Sequence, residues 1–251
     1  MLPDFQTSTL ARLTVLDYGL FQVHANGRII GICGYLLDTT DGKRVLIDTG
    51  FPAAYVTDPA AAAAADNLGS FGHLLSLTET QTPQGQLALL GLTPDDIDLL
   101  ILTHGHIDHA GQIAAFAHCP ILLSRAERSF ERPIYFGTAR PLQWPDAEYI
   151  QIDSDLTLFP GCRILHCPGH APGQLAFLLH LPETGAVLLT SDAINRPSEP
   201  DEGFAGSWDL AQAIHHGQRL LNLAAQTGAT IIYGHGPDQW PTLRKAPESY
   251  A

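Results

Sequence analysis

The 251-residue sequence predicts an α/β fold in which two sheets pack face to face under outer helices. Three observations point there. Short apolar runs of strand length recur in both halves of the chain, and segments with helical spacing alternate with them from about residue 97 onward. In both halves, strands run directly into acid or histidine, and open α/β architectures assemble their sites at one such sheet rim.

Taken in order, "ARLTVLDYG", "IIGICGYLLDT" and "RVLIDTG" read as strands, and "TTDGK" between the last two carries the Asp-Gly chemistry of a hairpin turn. Residues 53–83 are first alanine-rich ("PAAAAAADNLG") and then polar ("TETQTPQG"), and are expected to form a loop-plus-helix excursion over the surface. Two roles stay open for it, a lid over a pocket or a homodimer contact. A helix ("GQLALLGL") and a Thr-Pro-Asp-Asp turn lead into the strand "IDLLILT". Then "GQIAAFAH" reads as helix, "PILLS" as strand and "RAERSFERP" as helix. Residues 133–147 hold three prolines and three aromatics and read as a loop roofing a pocket. "EYIQI", "CRILHCP", "QLAFLLHL" and "AVLLTSD" follow as strands, then a long helix from "WDLAQ" ending at Gly228, and the strand "ATIIYGH". The whole of 1–251 is expected to form one domain.

Composition narrows the function classes. Hydrophobic residues make up 45% and charged residues 16%, which is a globular balance. The 13 Lys+Arg against 26 Asp+Glu give a net charge of −13, which disfavours nucleic acid and anionic membrane surfaces as partners. Cys33, Cys119, Cys162 and Cys167 form no Cys-x-x-Cys pair and lie in apolar settings, as buried reduced thiols do. The N-terminal stretch lacks the pattern of a signal peptide, and no apolar run approaches the roughly 20 residues a bilayer needs. A cytoplasmic protein is expected.

The chemistry concentrates where strands end. "IDLLILTHGHIDHAGQ" carries His104, His106, Asp108 and His109 after an apolar run; His170 follows "CRILHCPG", Asp192 follows "AVLLTS" and His235 follows "ATIIYG". One histidine after a strand is usually a cap or a solvated residue. Five imidazoles and two carboxylates in such places exceed what solvation needs, and nitrogen with carboxylate oxygen is the donor set of borderline metals such as Zn²⁺. On an extended backbone, side chains two apart point the same way, so His104, His106 and Asp108 are expected in phase, with His109 offset toward a neighbouring position. That pattern suits two divalent ions sharing ligands, with Asp192 as the natural bridge.

These residues resemble the metallo-β-lactamase superfamily: "HGHIDH" (104–109), "CPGHAPGQ" with His170, "LLTSDA" with Asp192 and "IIYGHG" with His235 occur in its order. Within it, "GYLLDTTDGKRVLIDTGFP", "HIDHAG", "FAG" at 204–206 and "PESYA" are similar to the N-acyl homoserine lactone lactonases. The resemblance implies an αβ/βα four-layer sandwich of two mixed sheets flanked by helices, with two divalent metal ions per chain, usually zinc. It implies that His104, His106 and His170 hold one ion, that Asp108, His109 and His235 hold the other, that Asp192 bridges, and that Asp48 supports the metal loop. The chain departs from that family in two places. Asn195 stands where the lactonases carry a tyrosine that bonds the substrate carbonyl, and Gln112 interrupts the usual pair of glycines.

The activity implied is hydrolysis of a lactone, in the first place N-acyl homoserine lactones (quorum quenching), by a hydroxide generated between the ions. Asp108 would carry the proton, and the Asn195 amide, also a donor, would stand in for the phenol. Phe136, Trp144, Phe204 and Trp208 are candidates for an acyl pocket or for ordinary core packing. Two alternatives stand beside it: another carbonyl hydrolase acting on a thioester, an aryl ester or a different lactone, and a non-hydrolytic metal protein of the same fold.

Overall fold

Strand β1 (Leu10–Val23) turns back into β2 (Ile29–Thr39), and the Asp-Gly turn leads on to β3 (Arg44–Ile47), with the Thr39 N–H donating to the Lys43 carbonyl at 3.0 Å. The structure is a computed structural model describing residues 4–5, 7–135 and 140–251. After β3 come α1 (Ala54–Thr57), α2 (Pro59–Asp66), β4 (Gly72–Ser76), α3 (Pro83–Leu89), β5 (Leu99–Ile101) and α4 (Ile107–Ala110). Next are β6 (Ile121–Ser124), α5 (Arg125–Arg128), β7 (Tyr149–Ile152), β8 (Leu156–Phe159) and β9 (Cys162–His166). The chain closes with β10 (Leu175–Leu181), β11 (Gly185–Ser191), α6 (Leu210–Thr227) and β12 (Thr230–Tyr233).

Two mixed sheets result. One has seven strands in the order β4-β1-β2-β3-β5-β6-β7, the other five in the order β12-β11-β10-β9-β8. Within the first, the pairs β3-β5, β5-β6 and β6-β7 are parallel; within the second, only β11-β12 is. The period-2 alternation of side chains then sorts the core into three layers. Leu13, Val15, Tyr35, Val45, Ile47 and Ile101 meet Ile164, Phe177, Leu179 and Leu189 between the sheets. The alternate residues Leu16, Leu36, Leu46, Leu100 and Leu102 face outward with Tyr55, Leu87 and Ile107 from the helical layer. On the far side, Leu165, Leu178 and Leu188 pack with Ala213, Leu220 and Ala224 of α6, giving the four-layer αβ/βα sandwich.

Helix α6 shows how local chemistry fixes an element. Asp209 accepts from the Gln212 N–H at its start, and Gly228 takes the left-handed conformation (φ 66°) that ends it. Its buried stripe, Ala213, Gly217, Leu220 and Ala224, uses small residues so that the helix lies close to the sheet.

Three expectations need correction. The segment 53–83 is not only a loop-plus-helix excursion, because its residues Gly72–Ser76 add β4 antiparallel to the edge of the first sheet. The helices expected at 111–118 and 125–133 are single turns, a 3-10 turn at Ile113–Phe116 and α5. Strand β8, which pairs with β9, had no clear sequence signal. Both missed strands lie at sheet edges, where only one face is buried and the apolar alternation is weak. All four cysteines are buried and unpaired, as expected.

Phe177 is fully buried between the sheets. Phe177→Ala should lower the unfolding free energy by about 3–5 kcal/mol, read as a drop in the denaturant midpoint; a change below the scatter of surface variants would contradict this packing.

Candidate metal centre

Every predicted ligand residue sits at one rim. His104 follows β5, His170 lies in the turn between β9 and β10, Asp192 directly follows β11, and His235 follows β12. His106 is the N-cap of α4, and α4 carries Asp108 and His109. This corrects the phase argument. The backbone is extended only as far as His106, and one helical turn, rather than strand alternation, presents Asp108 and His109.

The seven side chains converge. Ligand atoms of His104, His106, His170 and Asp192 lie within 4.8 Å of one another, and those of Asp108, His109 and His235 form a second such group. Asp192 faces both: Oδ2 is 3.2 Å from His170 Nε2 and 3.4 Å from His235 Nε2, and Oδ1 is 3.3 Å from His109 Nε2. Asp108 Oδ2 stands 3.5 Å from His235 Nε2 and 3.6 Å from His109 Nε2.

The side chains of the cluster are electrostatically coupled. Burial pushes the Asp192 carboxyl up, but His235, His109 and His170 outweigh it and hold the carboxyl well below the usual range. Asp108 falls to about 2 against burial, under His109 and His235. Burial disfavours a charged His235, yet the two aspartates raise it to about 10. His106 moves the other way, to about 3, through burial and then His170. Buried polar atoms without partners are costly, and His104 Nε2, His109 Nε2 and Asp192 Oδ1 have no hydrogen-bond partner here. All three point into the cluster's donor set. Two divalent ions fit: imidazole nitrogen and carboxylate oxygen, in two groups with a shared aspartate between them.

The groups behind the ligands fix their orientation. Asp48, at a left-handed φ of 61°, accepts from the Thr103 N–H at 2.8 Å and Thr103 Oγ1 at 2.8 Å, and lies 2.9 Å from His109 Nδ1. That contact leaves Nε2 of His109 to face the cluster. Ser191 (φ 44°) donates to Thr103 Oγ1 at 3.1 Å, tying the Asp192 turn to the same threonine. His235 Nδ1 meets the Gly31 carbonyl at 2.9 Å. The sequence reading named Asp48 and missed Thr103, Ser191 and Glu127.

Glu127 is fully buried, and its two carboxylate oxygens accept from the Gly105 N–H at 3.0 Å and the Gly173 N–H at 2.9 Å. It thereby clamps the 104–109 turn to the loop that carries His170. Burial raises its carboxyl to about 7, against the pull of those two N–H groups. Glycine is required at both contacts: a Cβ on Gly105 would lie 2.9 Å from Glu127 Oε2, and one on Gly173 would lie 2.1 Å from Ser124 Oγ. The available signal was an acid three residues after the apolar run "PILLS".

A cavity of about 480 Å³ opens onto the cluster. Phe21, Val23, Ile30, Phe51, Leu68 and Phe71 form its apolar part, while Asn195, Arg196, Glu199, Glu202 and Arg28 form a polar part. Asn195 thus reaches the site, but its amide donates to Glu199 Oε1 at 3.2 Å and the Asp192 carbonyl at 3.5 Å. The expected aromatics do not line this cavity: Phe204 packs under α6, Trp144 stacks near Arg128, and Trp208 is 59% exposed. Phe136 lies outside the described residues.

Glu127→Ala should strip two buried N–H groups of their acceptor, costing roughly 2–4 kcal/mol, and should speed loss of bound metal to a chelator. Unchanged metal retention would show that the clamp does not set the ligand loops.

Comparison with known proteins agrees with this geometry. The family model of the metallo-beta-lactamase superfamily matches residues 34–235. The N-acyl homoserine lactonase AiiA of Bacillus thuringiensis subsp. kurstaki is 32% identical over 225 residues, covering 85% of this chain and 84% of its own. The N-acyl homoserine lactonase AttM of Azorhizobium caulinodans is 30% identical over 240 residues, covering 86% of each chain. A solved N-acyl homoserine lactone hydrolase, with N-hexanoyl-L-homoserine bound at its catalytic metal center, superposes with a TM-score of 0.82 at 26% identity, over 96% of this chain and 100% of that one. With its two mixed sheets, its rim of His and Asp and these relatives, the chain belongs to the metallo-β-lactamase superfamily and, within it, to the N-acyl homoserine lactonase family.

Proposed function

We propose that the protein is a dinuclear metal-dependent hydrolase that opens the ring of N-acyl homoserine lactones. The observation that carries this reading is the convergence of seven His and Asp side chains, five of which line a part-apolar cavity, in a chain of the lactonase family. In this reading the ions are zinc: His104, His106 and His170 would hold one, Asp108, His109 and His235 would hold the other, and Asp192 would serve both. When bound, such ions polarise a carbonyl and bring water to hydroxide near neutral pH.

The chain's own residues do the rest. The apolar arc of the cavity receives the acyl arm and excludes water around it. Water adds its oxygen to the lactone carbonyl carbon, the ring C–O bond breaks, and the ring oxygen leaves as an alcohol. Asp108 lines the cavity, is 15% exposed against 6% for Asp192, and carries the proton from the attacking water to that oxygen. Asn195 holds Glu199 in place, and donates to the substrate only when its amide turns away from Glu199. That engagement favours a second reading, hydrolysis of a different lactone or ester that needs no donor at this position.

Metal analysis of the purified protein should find close to two divalent ions per chain, and stripping them should abolish hydrolysis; a metal-free active protein would overturn the mechanism. In a pH-indicator assay across lactones, simple esters and thioesters, homoserine lactones should give the highest kcat/KM. If esters or thioesters turn over much faster than every homoserine lactone, the substrate assignment is wrong.

A further inference from the structure

Arg28 follows the turn between β1 and β2 and lines the same cavity as the ligand cluster. Its guanidinium has no ion pair, ring contact or hydrogen bond among the described residues, and its Nε is buried without a partner. Arg44 and Arg128 share the last feature, but Arg44 pairs with Asp38 at 3.3 Å, and Arg128 lies over the rings of Trp144 at 5.4 Å and Tyr149 at 4.4 Å. Arg28 is therefore a part-buried cation, in a chain with 26 acids to 13 bases, whose guanidinium meets neither an acid nor a ring among the described residues.

The two glutamates of the cavity wall are already engaged. Arg196 pairs with Glu199 Oε1 at 3.5 Å and with Glu202. Glu199 also accepts from the Asn195 amide, and Glu202 from Ser198 Oγ at 2.6 Å. Arg28 stands close enough to Arg196 for its charge to be felt there: after burial, it is the main influence lowering Arg196. Arg28 therefore adds a second cation to a wall whose carboxylates are committed to the first. A guanidinium presents a planar fork that matches a carboxylate with two parallel hydrogen bonds. Beside it, Phe21, Val23, Ile30 and Phe71 offer apolar surface for methylene groups. An occupant that satisfies both has an alkyl arm ending in a carboxylate.

We propose that Arg28 anchors a carboxylate subsite, and that the preferred substrates are lactones whose acyl arm ends in a carboxylate. The substrate part of this rests on the lactone reading above; the subsite itself does not. The test uses the metal-loaded protein and ring-opened N-acyl homoserines in matched pairs, one arm ending in methyl and the other in carboxylate, over a series of lengths. Calorimetry should show the carboxylate arm binding about tenfold tighter at its best length, an advantage that shrinks as salt is raised. Arg28→Met should collapse the ratio toward one, and Arg28→Lys should keep part of it, since the charge remains without the fork. Equal or weaker binding of the carboxylate arm at every length would overturn the subsite, and that measurement needs only the natural protein. A ratio that survives in Arg28→Met would also overturn it. Turnover of the matching lactones separates the two readings. An arm preference in binding with no lactone hydrolysis would sink the proposed activity and leave the subsite standing. Lactone hydrolysis with no arm preference would do the reverse.

Discussion

The site depends on one buried carboxylate. Asp48 directly follows β3 in a left-handed conformation; its two oxygens take the N–H and hydroxyl of Thr103, and Oδ2 also faces His109 Nδ1. Strands β3 and β5 run parallel side by side, so this contact joins the ends of two neighbouring strands at the rim where the ligands emerge. Thr103 passes the constraint on, because its hydroxyl also meets Ser191 and stands 3.0 Å from His104 Nδ1. Strained backbone at Asp48 and Ser191 is held by this network, and it persists because the surrounding sheet over-determines it.

The interior acids near the cluster are settled in three different ways. Asp48 has a hydroxyl, an N–H and an imidazole around it, Asp192 lies among imidazoles, and Glu127 has only two backbone N–H groups. The outcome follows from the partners. Charged or chargeable neighbours overcome the burial of Asp192, whereas two neutral donors leave Glu127 well above the usual carboxylate range. Glu127 is thus a clamp whose strength depends on its own ionisation, placed away from the ligand atoms themselves.

Much of this was legible in the chain. The two-sheet sandwich followed from strand-length apolar runs, and the ligand set from His and Asp placed after them. Asp192 was legible as a bridge because a carboxylate has two oxygens to share. What escaped were features made by tertiary placement. β4 and β8 are edge strands with weak alternation; α4 begins one residue after His106, so a helical turn replaces the extended phase; and Thr103, Ser191 and Glu127 are ordinary residues until folding buries them together. Much of the cavity wall escaped for the same reason. Its apolar residues come from β1, β2, Phe51 and segment 68–71, and of the stretch 133–147 that was expected to roof a pocket Tyr135 lines it.

That division of labour has a consequence for how the protein can change. The ligand atoms hang on the ends of β5, β11 and β12, on α4 and on the β9–β10 turn, whereas much of the cavity wall hangs on the β1–β2 turn and the stretch leading into β4. Because β4 is stitched to β1 by main-chain hydrogen bonds, that wall is a fixed edge of the sheet and its side chains can vary without moving the scaffold. Drift in residues 21–30 and 68–71 can therefore explore new molecules while the reaction chemistry stays as it is, so that one catalytic floor can serve a lineage of enzymes with different diets.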